Sequence, residues 1–263
     1  MRIAVMALGE DNGREASSGG DVLQEAGQLA ERLGLPLIRG GDDSSYTLLL
    51  ARTPTRLELR EAGPLAAGPV AAEFLAGRGS PLLRRATLAG KEDVARVIDA
   101  TAGLGTDGFA IAEAGCQVEL IERSEIVAAL LADGIERARQ DPLCREAAER
   151  MRLHMGDATE LLPSLAPADV VYLDPMYPRS GREGGKAKEM RVLRVLLGDD
   201  GDAGGMLEVA RLATTRRVVV KRPLRASHLA GVKPSGTLSG TTIRYDLYGP
   251  LGTAAGEQQE GME

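Results

Sequence analysis

Two short segments contain the residues whose types and spacing could do chemistry. The first is GLGTDG, residues 103–108, which matches the pattern G-x-G-x-x-G, and the second is YLDPMYP, residues 172–178. Glycines that follow a strand can adopt positive φ and have no Cβ, so a nucleoside-bearing ligand can lie against the turn. Glu122 lies seventeen residues after Gly105, at the predicted end of the next strand, where an acidic side chain accepts hydrogen bonds from ribose hydroxyls. The first segment therefore predicts a site for an adenosine-type cofactor.

The charges around this turn distinguish between two cofactor classes. Asp99 ends the preceding predicted strand, and Asp107 lies at the start of the following predicted helix. In a dinucleotide site the N-terminus of that helix faces a pyrophosphate, beside which two carboxylates are unfavourable. They suit a ligand that carries an ammonium and a sulfonium, and S-adenosylmethionine is such a ligand. The alternative for Asp107 is a simple N-capping role.

The second segment is suited to hold an amine. Asp174 follows a predicted central strand, near the point where ligands bind in doubly wound sheets. Pro175 and Pro178 fix φ and stiffen the loop, and Tyr177 places an aromatic ring between them. A carboxylate and backbone carbonyls can accept the N–H groups of an exocyclic nucleobase amine while the ring stacks on the base. We therefore expect methylation of such an amine, mainly by orientation and proximity; an ordinary proline-rich turn is the alternative.

The elements that must position these residues are predicted as alternating strands and helices from about residue 91 onward. Such alternation is typical of a mostly parallel sheet with helices on both faces, so we expect an α/β, Rossmann-like, doubly wound fold. Strands are predicted over 94–100, 117–122, 151–157, 168–174 and 216–223, with a late pair around TLSG and TIRYDLYG; helices are predicted over 107–114, over 124–140 with Ser124 as N-cap, over 186–198 and around 204–213.

The part of the chain before this pattern is predicted to be a separate unit. Residues 1–90 read as a small N-terminal α+β domain, with a strand in RIAVMAL, a helix over 20–33 and short strands around YTLLLA and RLELRE. The main domain is expected at 91–250. Residues 251–263 are rich in Gly, Glu and Gln, and we expect a disordered tail.

The charge is unevenly distributed along the chain. The net charge of −6 argues against non-specific binding of nucleic acid by the whole surface. Residues 179–194 nevertheless hold six basic and two acidic residues, and residues 216–225 hold five basic residues and no acidic ones. Two basic segments on an acidic protein predict a directed anionic partner, with solvated helix faces and strand ends as the alternative.

Cysteine and histidine usage bears on compartment and metals. Cys116 and Cys144 are expected to be reduced core thiols of a cytoplasmic protein, because no signal peptide and no bilayer-spanning apolar run is present. Two cysteines and two histidines give no metal-site spacing. We expect neither a metal nor a membrane partner, and the sequence leaves the oligomeric state open.

The segments DATAGLGTDGF, LIERS, YLDPMYP and VVVKRP, in that order, resemble the class I methyltransferases. They are more closely similar to the bacterial 16S ribosomal RNA guanine-N2 methyltransferase J family, over about residues 91–248. The distinctive block is a variant of the Asp/Asn-Pro-Pro-Tyr/Phe motif of amino-directed methyltransferases, with Met176 at its third position. The resemblance implies a class I methyltransferase fold, S-adenosylmethionine as cofactor, and a guanosine near the 3′ end of 16S rRNA as target.

The resemblance and the residue chemistry together define three sets of candidate residues. By the resemblance, Glu122 would hold the ribose and Asp157 would lie near the adenine. The candidate cofactor-binding residues are Asp99, Gly103, Gly105, Thr106, Asp107, Glu122, Arg123, Gly156, Asp157 and Asp174. The candidate catalytic residues are Asp174, Pro175 and Tyr177, and the candidate RNA-binding residues are Arg84, Arg85, Arg179, Lys221 and Arg222.

Several alternatives stay open at this point. Adenine N6 or a protein amide presents N–H groups similar to those of guanine N2, and the substrate could be free rRNA or a partly assembled 30S particle. Two further hypotheses are a NAD(P)-dependent oxidoreductase and a non-catalytic RNA-binding protein that keeps the cofactor fold.

Overall fold

The computed structural model describes residues 1–8, 19–39, 45–63, 68–88, 95–176, 187–197 and 203–252 of the chain. Within these ranges the backbone forms two sheets, one near the N-terminus and a larger one that follows it. None of the helices in these ranges is both long enough and apolar enough to cross a membrane.

The first sheet has four strands in the order β2-β1-β3-β4. Strand β1 pairs in parallel with β2 and β3, while β3 and β4 form an antiparallel pair. Helix α1 packs on β1 and β3, and it buries Ala26, Leu29 and Ala30 at helical spacing. The elements are β1 (Ile3–Ala7), α1 (Gly19–Leu33), β2 (Leu37–Arg39), β3 (Leu48–Arg52) and β4 (Leu57–Glu61).

The second sheet has seven strands in the order β10-β11-β9-β8-β5-β6-β7. The five strands from β9 to β7 are parallel, and β11 and β10 close one edge in antiparallel pairing. The order reverses between β5 and β8, which is where open α/β sheets bind ligands. The strands are β5 (Arg96–Asp99), β6 (Gln117–Glu122), β7 (Met151–Met155), β8 (Ala168–Leu173), β9 (Thr214–Pro223), β10 (Gly236–Ser239) and β11 (Ile243–Tyr248).

Helices cover both faces of this sheet. One apolar core includes side chains of α2 to α5, and a second core on the other face includes side chains of α6 and α8. The helices are α2 (Pro81–Leu88), α3 (Thr106–Glu113), α4 (Glu125–Gln140), α5 (Arg145–Glu149), α6 (Ala158–Leu165), α7 (Ala187–Leu197) and α8 (Ala203–Ala213), with a short 3-10 helix at Leu229–Gly231.

Helix α4 joins the two sheets. Ala129 and Leu130 belong to the apolar cluster of the first sheet, whereas Leu131 and Ile135 belong to the core of the second. A Cβ at Gly134 would lie 2.6 Å from Cβ of Ala72, so only glycine permits this close approach. Helix α4 therefore contributes to the apolar clusters of both sheets, and it packs closely against the chain at Ala72.

The structure confirms the predicted α/β fold and most of the predicted elements. The strand of residues 117–122 has the predicted bounds, and Ser124 caps α4 by accepting a hydrogen bond from the Val127 amide. Cys116 and Cys144 are buried and are not joined in a disulfide, as expected for reduced core thiols. The sequence reading missed β2, α2, α5 and α6. The expected tail falls almost entirely on residues 253–263, which lie outside the described ranges.

Candidate active site

The glycine turn connects β5 to α3 at the carboxyl edge of the sheet. Gly103 has φ of 54° and Gly105 has φ of 77°, both in the left-handed region. A Cβ at Gly105 would lie 2.5 Å from Cδ1 of Leu131 and 3.2 Å from the ring of Phe74. The turn thus needs glycine both for its backbone conformation and for its fit against the core.

Glu122 anchors this turn to the next strand. Its Oε2 accepts a hydrogen bond from the Gly103 amide at 2.9 Å, and its Oε1 accepts one from the Ser124 amide at 2.8 Å. The side chain is buried, and this burial raises the pKa of the carboxyl although the amides favour its charged form. A carboxylate can accept further hydrogen bonds, so Glu122 can still receive ribose hydroxyls from the cavity that it lines.

A second turn, after β7, forms the neighbouring part of the site. The Gly156 amide donates to the Glu122 carbonyl at 3.0 Å. Asp157 caps α6, because its Oδ1 accepts from the amide and the hydroxyl of Thr159 at 2.8 and 2.6 Å. These hydrogen bonds lower the pKa of Asp157, so its carboxylate is a firmly held acceptor.

Two acidic side chains, one from α3 and one from the loop after β8, converge on Lys221 of β9. The Lys221 Nζ donates to Oδ2 of Asp107 at 2.7 Å and to Oδ2 of Asp174 at 2.9 Å. The Tyr172 hydroxyl donates to the same Asp107 oxygen at 2.6 Å. Asp107 is therefore not an N-cap of α3; the capping residue is Gly105, and it makes no side-chain capping bond.

Burial and charge set the protonation of this cluster. Burial, and next the charge of Asp107, raise the pKa of Asp99 to about 8, so this carboxyl is mostly neutral at pH 7. Burial alone would lower the pKa of Lys221, but the charges of Asp174 and Asp107 outweigh it and raise that pKa. Burial also raises the pKa of Tyr172 well above its ordinary value. The cluster therefore holds one ammonium between two carboxylates.

Asp174 directly follows β8 and is the third residue of the segment YLDPMYP. Its amide donates to Oγ1 of Thr101 at 2.6 Å, which ties the loop after β8 to the turn after β5. The Asp174 side chain is 38% exposed, whereas Pro175 is buried. Tyr177 and Arg179, predicted to stack on the base and to contact RNA, lie outside the described residues.

A cavity of about 310 Å³ connects these features. Its volume is within the range of small-molecule sites. Its apolar lining includes Met176 of the loop after β8, Leu193 and Leu197 of α7, and Met206 of α8. All ten predicted cofactor-binding residues line this cavity: Asp99, Gly103, Gly105, Thr106, Asp107, Glu122, Arg123, Gly156, Asp157 and Asp174.

The predicted RNA-binding residues are not brought together. Arg84 and Arg85 are exposed on α2. Lys221 lies in the cavity with two carboxylates, and Arg222 is only 3% exposed and donates to the Ser227 carbonyl. The expectation that Lys221 and Arg222 present their charges to RNA phosphates therefore needs correction, because one is engaged inside the site and the other is buried.

The basic segment 216–225 is likewise not one patch. Residues 216 to 223 belong to β9, a parallel strand of ten residues that spans roughly 30 Å. Arg216 lies near its start, where it pairs with Asp169, and Lys221 lies near its end, at the cavity. The basic residues of this segment are thus distributed between the two ends of β9 and do not form one surface patch.

Sequence reasoning missed several residues of the cavity. Thr101 and Tyr172 lie in the quoted motifs, and their positions at strand ends were a usable signal. Leu193, Leu197 and Met206 carried no such signal, because their helices reach the cavity only through the tertiary fold. Among the described residues, no group of three or more His, Cys, Asp or Glu side chains could hold a metal ion.

Comparisons with known proteins give a consistent result. A family model described as "Putative SAM-dependent methyltransferase" matches residues 28–250. Ribosomal RNA small subunit methyltransferase J of Thioalkalivibrio sulfidiphilus is 43% identical over 242 residues, which cover 87% of this chain and 94% of that protein. The protein of the same name from Chromobacterium violaceum is 42% identical, with 86% and 92% covered. A crystal structure of a SAM-dependent methyltransferase from Neisseria gonorrhoeae superposes with a TM-score of 0.69 at 30% identity, covering 96% of this chain and 99% of that one.

Proposed function

Because the chain belongs to the ribosomal RNA small subunit methyltransferase J family, we propose that it methylates the exocyclic N2 amine of a guanosine near the 3′ end of 16S rRNA. Membership of this family makes the chain an S-adenosylmethionine-dependent methyltransferase. It argues against the oxidoreductase and the non-catalytic alternatives. We place the reaction in the cytoplasm, where ribosomal RNA is available, on free rRNA or on the 30S particle.

One observation carries the proposal for the acceptor. Asp174 lies in the same cavity as the glycine turn and Glu122, so a hydrogen-bond acceptor for an amine stands beside the cofactor-binding residues. This arrangement, at the point where the strand order reverses, supports a reaction between a nucleoside-type cofactor and an amino group. The buried Pro175 holds the loop that starts at Asp174.

The cavity suits the cofactor in chemistry as well as in size. Glu122 supplies a carboxylate for ribose hydroxyls, Asp157 supplies an acceptor for an adenine amino group, and Ile121 and Ala158 add apolar surface. Asp107 and Asp174 carry two negative charges against the single positive charge of Lys221, so the cluster offers a net negative charge to an ammonium or a sulfonium. When bound, S-adenosylmethionine supplies a methyl group on a sulfonium, which is already a good leaving group.

The chain's own residues then act mainly by orientation. The amine of a base is a poor nucleophile because its lone pair is delocalised into the ring. The Asp174 carboxylate accepts an N–H of that amine and favours the geometry in which the lone pair faces the methyl group. A target base in a duplex must first leave its stack, and Tyr177 remains the candidate to stack on it.

The experiment that tests this proposal follows a labelled methyl group into rRNA. Purified protein is incubated with methyl-labelled S-adenosylmethionine and either 16S rRNA or 30S subunits from cells that lack the gene. The RNA is then digested, and its nucleosides are analysed by mass spectrometry. We expect label in N2-methylguanosine; label in N6-methyladenosine or in ribosomal protein would overturn the acceptor assignment.

Two variants connect the activity to the site. We expect D174N to lose methylation by at least tenfold while S-adenosylhomocysteine still raises its melting temperature. D141N is the matched control, since Asp141 is exposed at the end of α4, away from the cavity. Equal loss in both variants, or full activity in D174N, would contradict the role given to Asp174.

A further inference from the structure

We propose that Lys221 is a positioning residue of methyl transfer, which keeps the Asp174 carboxylate ionised and directed at the acceptor amine. This inference rests on the proposed function and deepens it. It replaces the expectation that Lys221 contacts RNA phosphates, because two of its three N–H donors are used inside the cavity.

The geometry shows why an ammonium is needed at this point. Oδ2 of Asp107 and Oδ2 of Asp174 both lie within hydrogen-bonding distance of the same Nζ. The two oxygens are therefore no more than about 5.6 Å apart, a distance at which two carboxylates repel each other in a partly buried cavity. The Lys221 ammonium donates one charge-assisted hydrogen bond to each carboxylate, and its positive charge offsets their repulsion.

The strand register explains how Lys221 comes to face Asp174. Leu173 is paired with Val220 across β8 and β9, so Asp174 and Lys221 occupy the next positions on the two neighbouring strands. Tyr245 of β11 is paired with Lys221 from the other side. The VVVKRP segment thus contributes its lysine to the loop that starts at Asp174.

Within the part of the chain that the structure describes, the neighbours of Lys221 supply no second positive charge to Asp107 and Asp174. The helices α7 and α8 contribute the apolar side chains Leu193, Leu197 and Met206 to the cavity. Among the described residues, the titratable groups that interact with Lys221 or its two carboxylates are acids or phenols: Asp99 of β5, Asp107 of α3, Tyr172 of β8, Asp174 after β8 and Tyr245 of β11. Arg123 also lines the cavity, but its charge acts on Glu122 and Asp157.

Loss of the lysine charge would therefore leave three carboxyl groups close together in one cavity. The cluster would take up a proton at higher pH than it does in the presence of Lys221. A protonated Asp174 carries an O–H donor in place of one acceptor lone pair, so it would hold the substrate amine less well. The rate of methyl transfer should then depend on pH in a range where the unmodified enzyme is insensitive.

The test measures single-turnover methylation of 30S subunits at saturating S-adenosylmethionine between pH 5.5 and 9. We expect the unmodified enzyme to vary less than threefold between pH 5.5 and 7, below the range in which Asp99 ionises, whereas the rate of K221M should fall at least tenfold as the pH is lowered across that interval. K221R keeps the positive charge and should follow the unmodified profile. K233M is the matched control, because Lys233 is exposed.

Two further measurements keep the inference distinct from the proposed function. Carbon-13 NMR of the Asp carboxyl groups, with Asp174 assigned through D174N, should show Asp174 titrating at higher pH in K221M, whether or not RNA is methylated. K221Q is neutral but keeps a hydrogen-bond donor, and it should show the same rise in the pH at which Asp174 titrates. If K221M does not bind S-adenosylhomocysteine, the K221Q result is used to judge the role of Lys221. Parallel pH profiles and an unmoved Asp174 signal would overturn the role of Lys221, whereas absence of rRNA methylation by the unmodified enzyme would overturn the proposed function instead.

Discussion

Replacing Gly105 by alanine perturbs the turn on which the cofactor site depends. The residue has φ of 77°, and a non-glycine residue in the left-handed region costs about 1–2 kcal/mol. The added methyl group would also lie 2.5 Å from Cδ1 of Leu131, and overpacking of a core costs typically about 1–3 kcal/mol. We therefore expect G105A to reduce the free energy of unfolding by about 2–5 kcal/mol, a large part of the roughly 5–15 kcal/mol typical of a protein.

A second glycine separates the two contributions. Gly115 also has positive φ, 104°, but it is exposed and nothing lies within 4 Å of a Cβ built there. G115A should therefore show a backbone cost without any clash, of at least about 1–2 kcal/mol because its φ lies further from the left-handed helical region than that of Gly105. Any excess loss of stability in G105A over G115A is then a lower bound on the cost of packing a methyl group against Leu131 and Phe74.

The assay is urea denaturation of both variants beside the unmodified protein, with S-adenosylhomocysteine affinity measured by calorimetry. A shift of the denaturation midpoint at constant slope reports a change in stability. We expect G105A, unlike G115A, to bind S-adenosylhomocysteine at least tenfold more weakly, because the turn must move to accept the methyl group. Equal stability and affinity in the two variants would refute the argument from close packing.

Three other predictions follow from the site. E122A should weaken binding of S-adenosylhomocysteine by tenfold or more in calorimetry, since hydrogen bonds to a charged group contribute about 1.5–3 kcal/mol; an unchanged affinity would contradict the ribose role of Glu122. Asp99 ionises near pH 4 in the unfolded chain but only near pH 8 in the folded protein, because burial raises its pKa to about 8. The free energy of unfolding should therefore fall by up to about 1.4 kcal/mol per pH unit as the pH rises from about 4 to about 8. D99N should therefore gain stability over the unmodified protein as the pH rises through that range in urea titrations, and a constant difference would count against the raised pKa. The double variant R84A/R85A should lower the slope of log binding constant against log salt for RNA by about 1.5–2, whereas R222M should leave it unchanged.

The sequence predicted those features whose geometry depends only on residues close together in the chain. The glycine turn, the acid at the end of β6 and the cap at Ser124 depend on neighbours within a few residues of the chain, and all three are present as predicted. Helix α6 escaped prediction because Pro163 lies inside it, and proline normally argues against a helix interior.

The roles of the basic residues on β9 required the tertiary structure. Side chains alternate between the two faces of a strand, so Lys221 and Arg222 point to different environments although they are adjacent in sequence. Lys221 meets Asp107, 114 residues away, only because β9 lies beside β8 in the sheet. No local pattern in the sequence specifies that strand order, so the run of basic residues could not indicate that Lys221 lies in the cavity or that Arg222 is buried.

Helix α7 connects the cavity to the apolar cluster of the first sheet, so ligand binding should change the stability of that sheet. Val192 is fully buried in the apolar cluster of the first sheet, while its neighbours Leu193 and Leu197 line the cavity. A ligand that holds Leu193 in place therefore restrains the helix that also completes the core around β3 and β4. By mass action, cofactor at 100 times its dissociation constant adds about 2.7 kcal/mol to the free energy of any local opening that abolishes cofactor binding. Amide hydrogens of the small sheet, far from any reacting atom, should exchange more slowly when that cavity is filled.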